Sequence, residues 1–214
     1  MAILSGPVWG PASGAAPKQL VVLCHGVGAD GRDLIALAPF FAGVLPDALF
    51  VAPDGPEPYD MAPFGRQWFP IGDINPAKLG GGVRRAAKTL DVFIDNELSR
   101  LKLTDYALIG FSQGAMTALF TGLRRAAAPR AVLAYSGALI EPQTLGGEAK
   151  SSPPVLLAHG ESDDIVPAFH SRDAEVALRA AGVPAELVLE PGLGHGIGEA
   201  GLAAGVALLR RAFA

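Results

Sequence analysis

Cysteine is nearly absent from this chain of 214 residues: Cys24 stands alone. That excludes an internal disulfide and any cysteine-based metal cluster. Charge is sparse, at 18% of residues, with 17 Lys and Arg against 21 Asp and Glu. The basic residues are scattered, so the electrostatic footprint of a nucleic-acid binder is missing. No apolar run approaches the length of a membrane span. No Lys or Arg precedes Lys18, so the charged start of a secretory signal is missing too, and a cytoplasmic protein is expected. Aromatics make up only 7%, yet half of all residues are hydrophobic, which excludes a disordered chain. At this length folding hides roughly 70% of the surface that the unfolded chain exposes, enough for one core without a staple. Gly (27) and Pro (18) are plentiful, and point to many tight turns.

What is present is an alternation. Compact apolar runs at Gln19 to Cys24, Ala48 to Ala52, Tyr106 to Ile109, Ala131 to Tyr135, Val155 to Ala158 and Leu187 to Glu190 read as strands buried on both faces. Between them lie helical patterns: Asp30 to Leu45, capped by Asp30 and kinked at Pro39; Leu79 to Leu101, with a stripe through Ala86, Leu90, Phe93, Ile94, Glu97 and Leu101 broken only by Glu97; Gln113 to Ala127; Phe169 to Ala181; and Gly198 to Phe213. Residues 1–18 read as an irregular lead-in with a short edge strand near Ile3. No linker divides the chain, so residues 1–214 are expected to form one α/β domain on a doubly wound, mostly parallel sheet. Sites in such sheets form at the carboxyl ends of strands.

The third of these strands runs into Gly110-Phe111-Ser112-Gln113-Gly114 and then a helix. This is G-x-S-x-G in its strand–turn–helix setting, where a sharp turn projects the serine into the crevice. Strand and helix pass so closely that the positions two before and two after the serine must lack side chains. Ser112 also sits at the positive end of a helix. Ser112 is the candidate nucleophile.

The first strong strand ends in His25-Gly26-Val27-Gly28-Ala29-Asp30-Gly31. Acyl transfer needs two donors aimed at a developing oxyanion. The backbone N–H groups of Gln113, next after the nucleophile, and of Val27, in this early loop, are the candidates. Neither a G-x-G-x-x-G nor a Walker pattern is present, so a phosphate loop is disfavoured. Further on, the fifth strand ends in His159-Gly160-Glu161-Ser162-Asp163-Asp164, and the sixth is followed by Gly194-His195-Gly196. The chain order is therefore serine, acid, histidine, as in hydrolases of this architecture. His195 is the candidate base. Spacing does not separate Glu161, Asp163 and Asp164. His25 and His159 read as structural hydrogen-bonding residues near the site, His170 as an ordinary helix residue, and Cys24 as a buried inert thiol.

Taken together, His25-Gly26-Val27-Gly28-Ala29-Asp30-Gly31-Arg32-Asp33-Leu34, Arg66-Gln67-Trp68-Phe69, Gly110-Phe111-Ser112-Gln113-Gly114-Ala115-Met116, His159-Gly160 with Asp163 and Val166-Pro167, and Gly194-His195 resemble the acyl-protein thioesterase and phospholipase/carboxylesterase family of α/β-hydrolases. The resemblance covers Leu20 to the C-terminus. It implies hydrolysis of carboxylic esters and acyl thioesters without a cofactor or metal, on small molecules or an acylated protein, by a monomer or homodimer. It also selects Asp163, four residues before the Pro of Val166-Pro167, as the acid. Where family members often carry Pro after that aspartate, this chain has Asp164.

Residues 59–80 form a long irregular stretch holding Tyr59, Met61, Phe64, Trp68, Phe69 and Ile71. Its apolar content reads as one wall of an acyl pocket, with Met61, Phe64, Trp68 and Phe69 as substrate contacts and Leu139 and Ile140 completing it. No insertion is long enough for a separate lid domain. The rival readings are a lactone hydrolase or peptidase of the same fold, and a catalytically silent small-molecule receptor.

Overall fold

The computed structural model describes residues 4–72 and 76–214. Nine strands and seven α-helices follow one another among them: β1 (Val8–Trp9), β2 (Gln19–Cys24), α1 (Gly31–Leu34), α2 (Ala38–Ala42), β3 (Ala48–Val51), β4 (Glu57–Pro58), β5 (Arg66–Gln67), α3 (Pro76–Leu101), β6 (Tyr106–Phe111), α4 (Gln113–Arg124), β7 (Ala131–Tyr135), α5 (Leu145–Glu148), β8 (Val155–Gly160), α6 (Phe169–Ala180), β9 (Ala185–Glu190) and α7 (Glu199–Ala212). Seven strands make one sheet in the order β1-β3-β2-β6-β7-β8-β9. Only β1, paired with β3, runs antiparallel. The small β4–β5 ribbon stands apart from it.

The winding reverses between β2 and β6. From β2 the chain moves outward to β3; from β6 it steps the other way through β7, β8 and β9. Crossover connections of fixed hand then place helices on opposite faces. The sequence encodes this in central strands that are nearly continuous apolar runs, buried on both faces. Along β2, Leu20, Val22 and Cys24 join the core beneath α3, α4 and α6. Val21 and Leu23 join the second core beneath α2 and α7. A crevice opens where the helices diverge, outside the carboxyl ends of β2 and β6.

Several elements depart from the sequence reading. The stretch from Asp30 to Leu45 is not one helix. It is α1, a 3-10 turn over Ile35–Leu37 and then α2, which carries Pro39 in its first turn. A proline is tolerated there because the first N–H groups of a helix have no intrahelical acceptor. Asp30 does cap α1, accepting from the Arg32 amide. α4 ends at Arg124, not Ala127, because Arg125 turns to extended backbone (φ −90°, ψ 135°). Its buried guanidinium then reaches Asp91, Asp95 and the Tyr106 hydroxyl. The buried stripe of α3 also takes in Leu98, while Glu97, the expected break, pairs with Arg100 near the surface. The stretch assigned to 59–80 is partly ordered by the β4–β5 ribbon. β8 extends through His159 and Gly160. The edge strand expected near Ile3 lies outside the described residues; β1 forms at Val8–Trp9 instead. Among the described residues no helix is long and apolar enough to cross a membrane.

Candidate active site

Ser112 leaves β6 and starts α4 with φ 53° and ψ −119°. That is a left-handed conformation, costly for a residue with a side chain and sustained only by its surroundings. A hydrogen bond from its amide to the Tyr135 carbonyl, at 2.9 Å, anchors the turn. The flanking glycines are sterically required. A Cβ on Gly114 would lie 1.9 Å from the Cys24 carbonyl oxygen, and one on Gly110 would lie 2.4 Å from the Gly114 carbonyl oxygen.

The Val27 loop adjoins this turn. A Cβ on Gly26 would stand 3.5 Å from the Ser112 Cβ. The loop is pinned to β5 by two bonds, Gly28 amide to Arg66 carbonyl at 2.8 Å and Arg66 amide to Ala29 carbonyl at 2.7 Å. Among the described residues the Val27 amide has no acceptor. The Gln113 amide opens α4, where a helix leaves its N–H groups unpaired. Two backbone donors thus lie on the segments that adjoin the serine.

Trp68 and Phe69 lie elsewhere than the sequence reading placed them. Both are 1% exposed and belong to the core, so neither offers a surface to an acyl chain. Instead they hold the donor side together. The Trp68 indole N–H donates to the His25 carbonyl at 2.9 Å. The Gln113 side chain accepts from the Trp68 amide at 2.8 Å and donates to the Phe69 carbonyl at 2.7 Å. Sequence reasoning missed this bridge. The signal available was the pairing of a glutamine inside the serine turn with an aromatic pair carrying a buried donor.

His25 is part of the same frame. Its Nε2 accepts from the Gly55 amide at 2.8 Å, so the proton sits on Nδ1 and is donated to the Gly26 carbonyl at 2.7 Å. Burial holds its pKa below the ordinary histidine value, against the raising effects of the Gly26 carbonyl and nearby aspartates. Burial also pushes the Cys24 thiol up, which makes it inert.

On the other side, His195 Nδ1 lies 2.7 Å from Asp163 Oδ2. Asp163 is buried and Asp164 is exposed. The other carboxylate oxygen, Oδ1, accepts from the amides of Ile165 at 3.0 Å and Val166 at 2.9 Å. Burial alone would raise the Asp163 pKa. The bonds from His195, Val166 and Ile165 outweigh it and hold the carboxyl below its usual range. The His195 ring rests against Phe111, centroids 4.9 Å apart, next to Ser112 in sequence. Ser136 Oγ donates to the Gly196 carbonyl at 2.9 Å and ties the histidine loop to the end of β7. The loop also packs on Gly160, where a Cβ would meet the Leu193 carbonyl oxygen at 2.2 Å.

Of the expected pocket residues, Leu139 lines a cavity of about 520 Å³ with Leu79, Ala138, Ile140 and His170. The cavity starts one residue beyond Gly137, where a Cβ would stand 3.2 Å from the Ser112 carbonyl oxygen. His170 lies in helix α6, as expected, and its side chain borders this cavity. Met61 and Phe64 are exposed, at 67% and 74%, in the loop of the β4–β5 ribbon. Among the described residues no cluster of His, Cys, Asp and Glu is built to hold a metal ion.

This arrangement, with a strained serine, a carboxylate-bound histidine and two backbone donors at a sheet's switch point, coincides with a known sequence pattern. The model of the phospholipase/carboxylesterase family matches residues 11–208. The chain belongs to that family. Esterase YpfH of Escherichia coli (strain K12) is 32% identical over 186 residues, 84% of this chain and 77% of that one. Acyl-protein thioesterase 1 of Gibberella zeae is 25% identical over 193 residues, 82% of each chain. The crystal structure of esterase PE8 superposes with a TM-score of 0.92 at 43% identity, covering 97% of this chain and 98% of that one. This member of the phospholipase/carboxylesterase family is thus a serine hydrolase of the carboxylesterase and thioesterase type, on the α/β-hydrolase fold, and its family implies ester or thioester substrates.

Proposed function

We propose that the chain hydrolyses carboxylic esters, and acyl thioesters of the same acyl groups, through an acyl-enzyme on Ser112. The observation that carries this reading is the pairing of His195 with the buried Asp163, 2.7 Å between Nδ1 and Oδ2, with the His195 ring against Phe111, the residue before the strained serine. With Nδ1 donating to Asp163, the His195 Nε2 is left as the base. It takes the Ser112 proton as Oγ attacks the substrate carbonyl. Asp163 stabilises the imidazolium that forms. The Val27 and Gln113 amides receive the oxyanion. His195 then protonates the departing alkoxide or thiolate, and the acyl group stays on Ser112. Water, deprotonated by the same histidine, releases the acid.

The cavity lined by Leu139, Ile140 and Leu79 is the acyl site in this account. Met61 and Phe64 form its solvent-facing approach, and the buried Trp68 and Phe69 support the oxyanion loop. The whole described chain serves as one catalytic domain. The experiment is hydrolysis of p-nitrophenyl esters from acetate to palmitate, with Ser112→Ala as the blank. Serine-dependent turnover with a maximum along the series is expected. No turnover above the blank at any length, for esters or for the matching thioesters, overturns the reading.

A further inference from the structure

The acid of the site has a second histidine. His159, the next-to-last residue of β8, places Nε2 3.1 Å from Asp163 Oδ2, the same oxygen that His195 engages. The same Nε2 lies 2.6 Å from the Val166 carbonyl oxygen. A carboxylate and a carbonyl are both acceptors, so the Nε2 must carry the proton. Its Nδ1 faces the Ser171 hydroxyl of α6 at 2.7 Å, which leaves that nitrogen free to accept. The side chains of His159 and Asp163 are wholly shielded from solvent. Water therefore cannot replace this donor if it is lost.

Building on the assignment of Asp163 and His195 above, we propose that His159 is a positioning residue that sets both the orientation of the Asp163 carboxylate and its pull on His195. Oδ1 is held by the Ile165 and Val166 amides, which fix one end of the carboxylate. Oδ2 accepts from His195, while the His159 Nε2–H, bonded to the Val166 carbonyl at 2.6 Å, brings its positive edge within 3.1 Å of the same oxygen and offsets part of the charge that acts on His195. Without it, the negative charge on Oδ2 acts on His195 alone. A stronger negative partner favours the imidazolium and raises the pH at which the base becomes free. The other ionisable groups around this cluster lie on the adjoining loops and on α6, where His170 stands close enough to His159 and Asp173 for their charges to act on it. Glu161 pairs with Arg172, and Glu190 accepts from the Ala200 and Gly201 amides. Asp164 is exposed. His170, on α6 beside Ser171, stacks on Phe169.

The test is the pH profile of kcat/KM for His159→Leu, which deletes the donor, and His159→Gln, whose amide nitrogen stands near the place of Nε2. For His159→Leu, kcat should fall by about 10- to 100-fold, as for other supporting partners of site residues. KM should stay within roughly twofold, since no substrate contact is lost. The acid limb should move up by about half a pH unit or more. His159→Gln should restore most of kcat and return the limb. If His159→Leu does not fold, His159→Asn serves in its place: its short amide reaches toward Ser171 but not Asp163, and the same upward move is expected. An acid limb that stays put in a folded donor-deleting variant, or that moves equally in His159→Gln, overturns the proposal. Ser112→Ala run in parallel separates the two failures. Turnover surviving there overturns the triad and this role with it. Serine-dependent turnover with an unmoved limb overturns His159 alone.

Discussion

The two sides of the crevice are held by different means. On the donor side, the Val27 loop and the Ser112 turn are framed by core: the Trp68 indole, the Gln113 amide and the His25 ring all bond to backbone, and none is exposed by more than 2%. On the acid–base side, two surface loops are joined through one carboxylate, and the His195 side chain keeps 18% exposure. Their buried histidines repeat the contrast. His25 and His159 each precede a glycine at a strand end, yet His25 is the Nδ1–H tautomer bonded to backbone alone, and His159 the Nε2–H tautomer facing a carboxylate. The difference teaches that, in the proposed mechanism, the groups that would receive the oxyanion are built into the core, where they cannot relax, while the histidine that would carry the proton stands near water, where its charge can change.

Substitutions can break this comparison in order of size. Ser112→Ala and His195→Ala should each lower turnover by about 10⁴-fold or more with the melting temperature unchanged, read from steady-state kinetics and calorimetry. Asp163→Asn should cost on the order of 10³- to 10⁴-fold in kcat, because a neutral partner no longer fixes the tautomer of His195. The exposed Asp164→Asn should stay within about twofold of wild type. Equal losses at the two positions would mean that Asp163 does not pair with the base in solution.

On the donor side the same comparison predicts losses of stability and rate together. Trp68→Phe removes the donor to the His25 carbonyl and leaves a buried acceptor unpaired, a cost of about 1–3 kcal/mol. Denaturant unfolding should show that loss, and kcat should fall with it as the Val27 loop loosens. A variant as stable as wild type would show that the indole bond does not hold the loop. A gentler probe is pH. The buried His25 has a folded-state pKa below its unfolded value of about 6.5, so the unfolded chain binds the proton better. Its contribution is in place above that value and is lost as pH falls through it. His25→Gln, which still accepts from the Gly55 amide, should flatten the fall of melting temperature between about pH 7 and 5 relative to wild type. The smallest effect is expected at Met61 and Phe64. Serine at either position should leave stability within about 0.5 kcal/mol and raise KM for the longest esters only.

Much of this was legible in the sequence, for stated reasons. Central strands read as nearly continuous apolar runs announced a sheet covered on both faces. The turn around Ser112 was legible because close approach of strand and helix admits only glycine at Gly110 and Gly114. His195 was singled out by its place in the order of the chain, and the structure pairs it with Asp163 at 2.7 Å. The acid was not legible by spacing: Glu161, Asp163 and Asp164 differ in burial, which no local pattern reports. Trp68 and Phe69 were misread because an aromatic pair in a long loop looks the same whether it lines a pocket or closes a core. What decides it is the Gln113 side chain, 45 residues away from Trp68 in sequence. Pro39 marked an irregularity in the helix after Asp30, but the 3-10 turn just before it was not legible, because such a turn keeps nearly the same apolar spacing as an α-helix.

The most direct test of the central claim is covalent. The protein would be treated with a fluorophosphonate near neutral pH and the adduct located by mass spectrometry of the digest. A single adduct on Ser112, formed rapidly in wild type, slowed by orders of magnitude in His195→Ala and absent in Ser112→Ala, is the predicted result. Labelling of another residue at the same rate, or labelling of Ser112 indifferent to the loss of His195, would contradict the account.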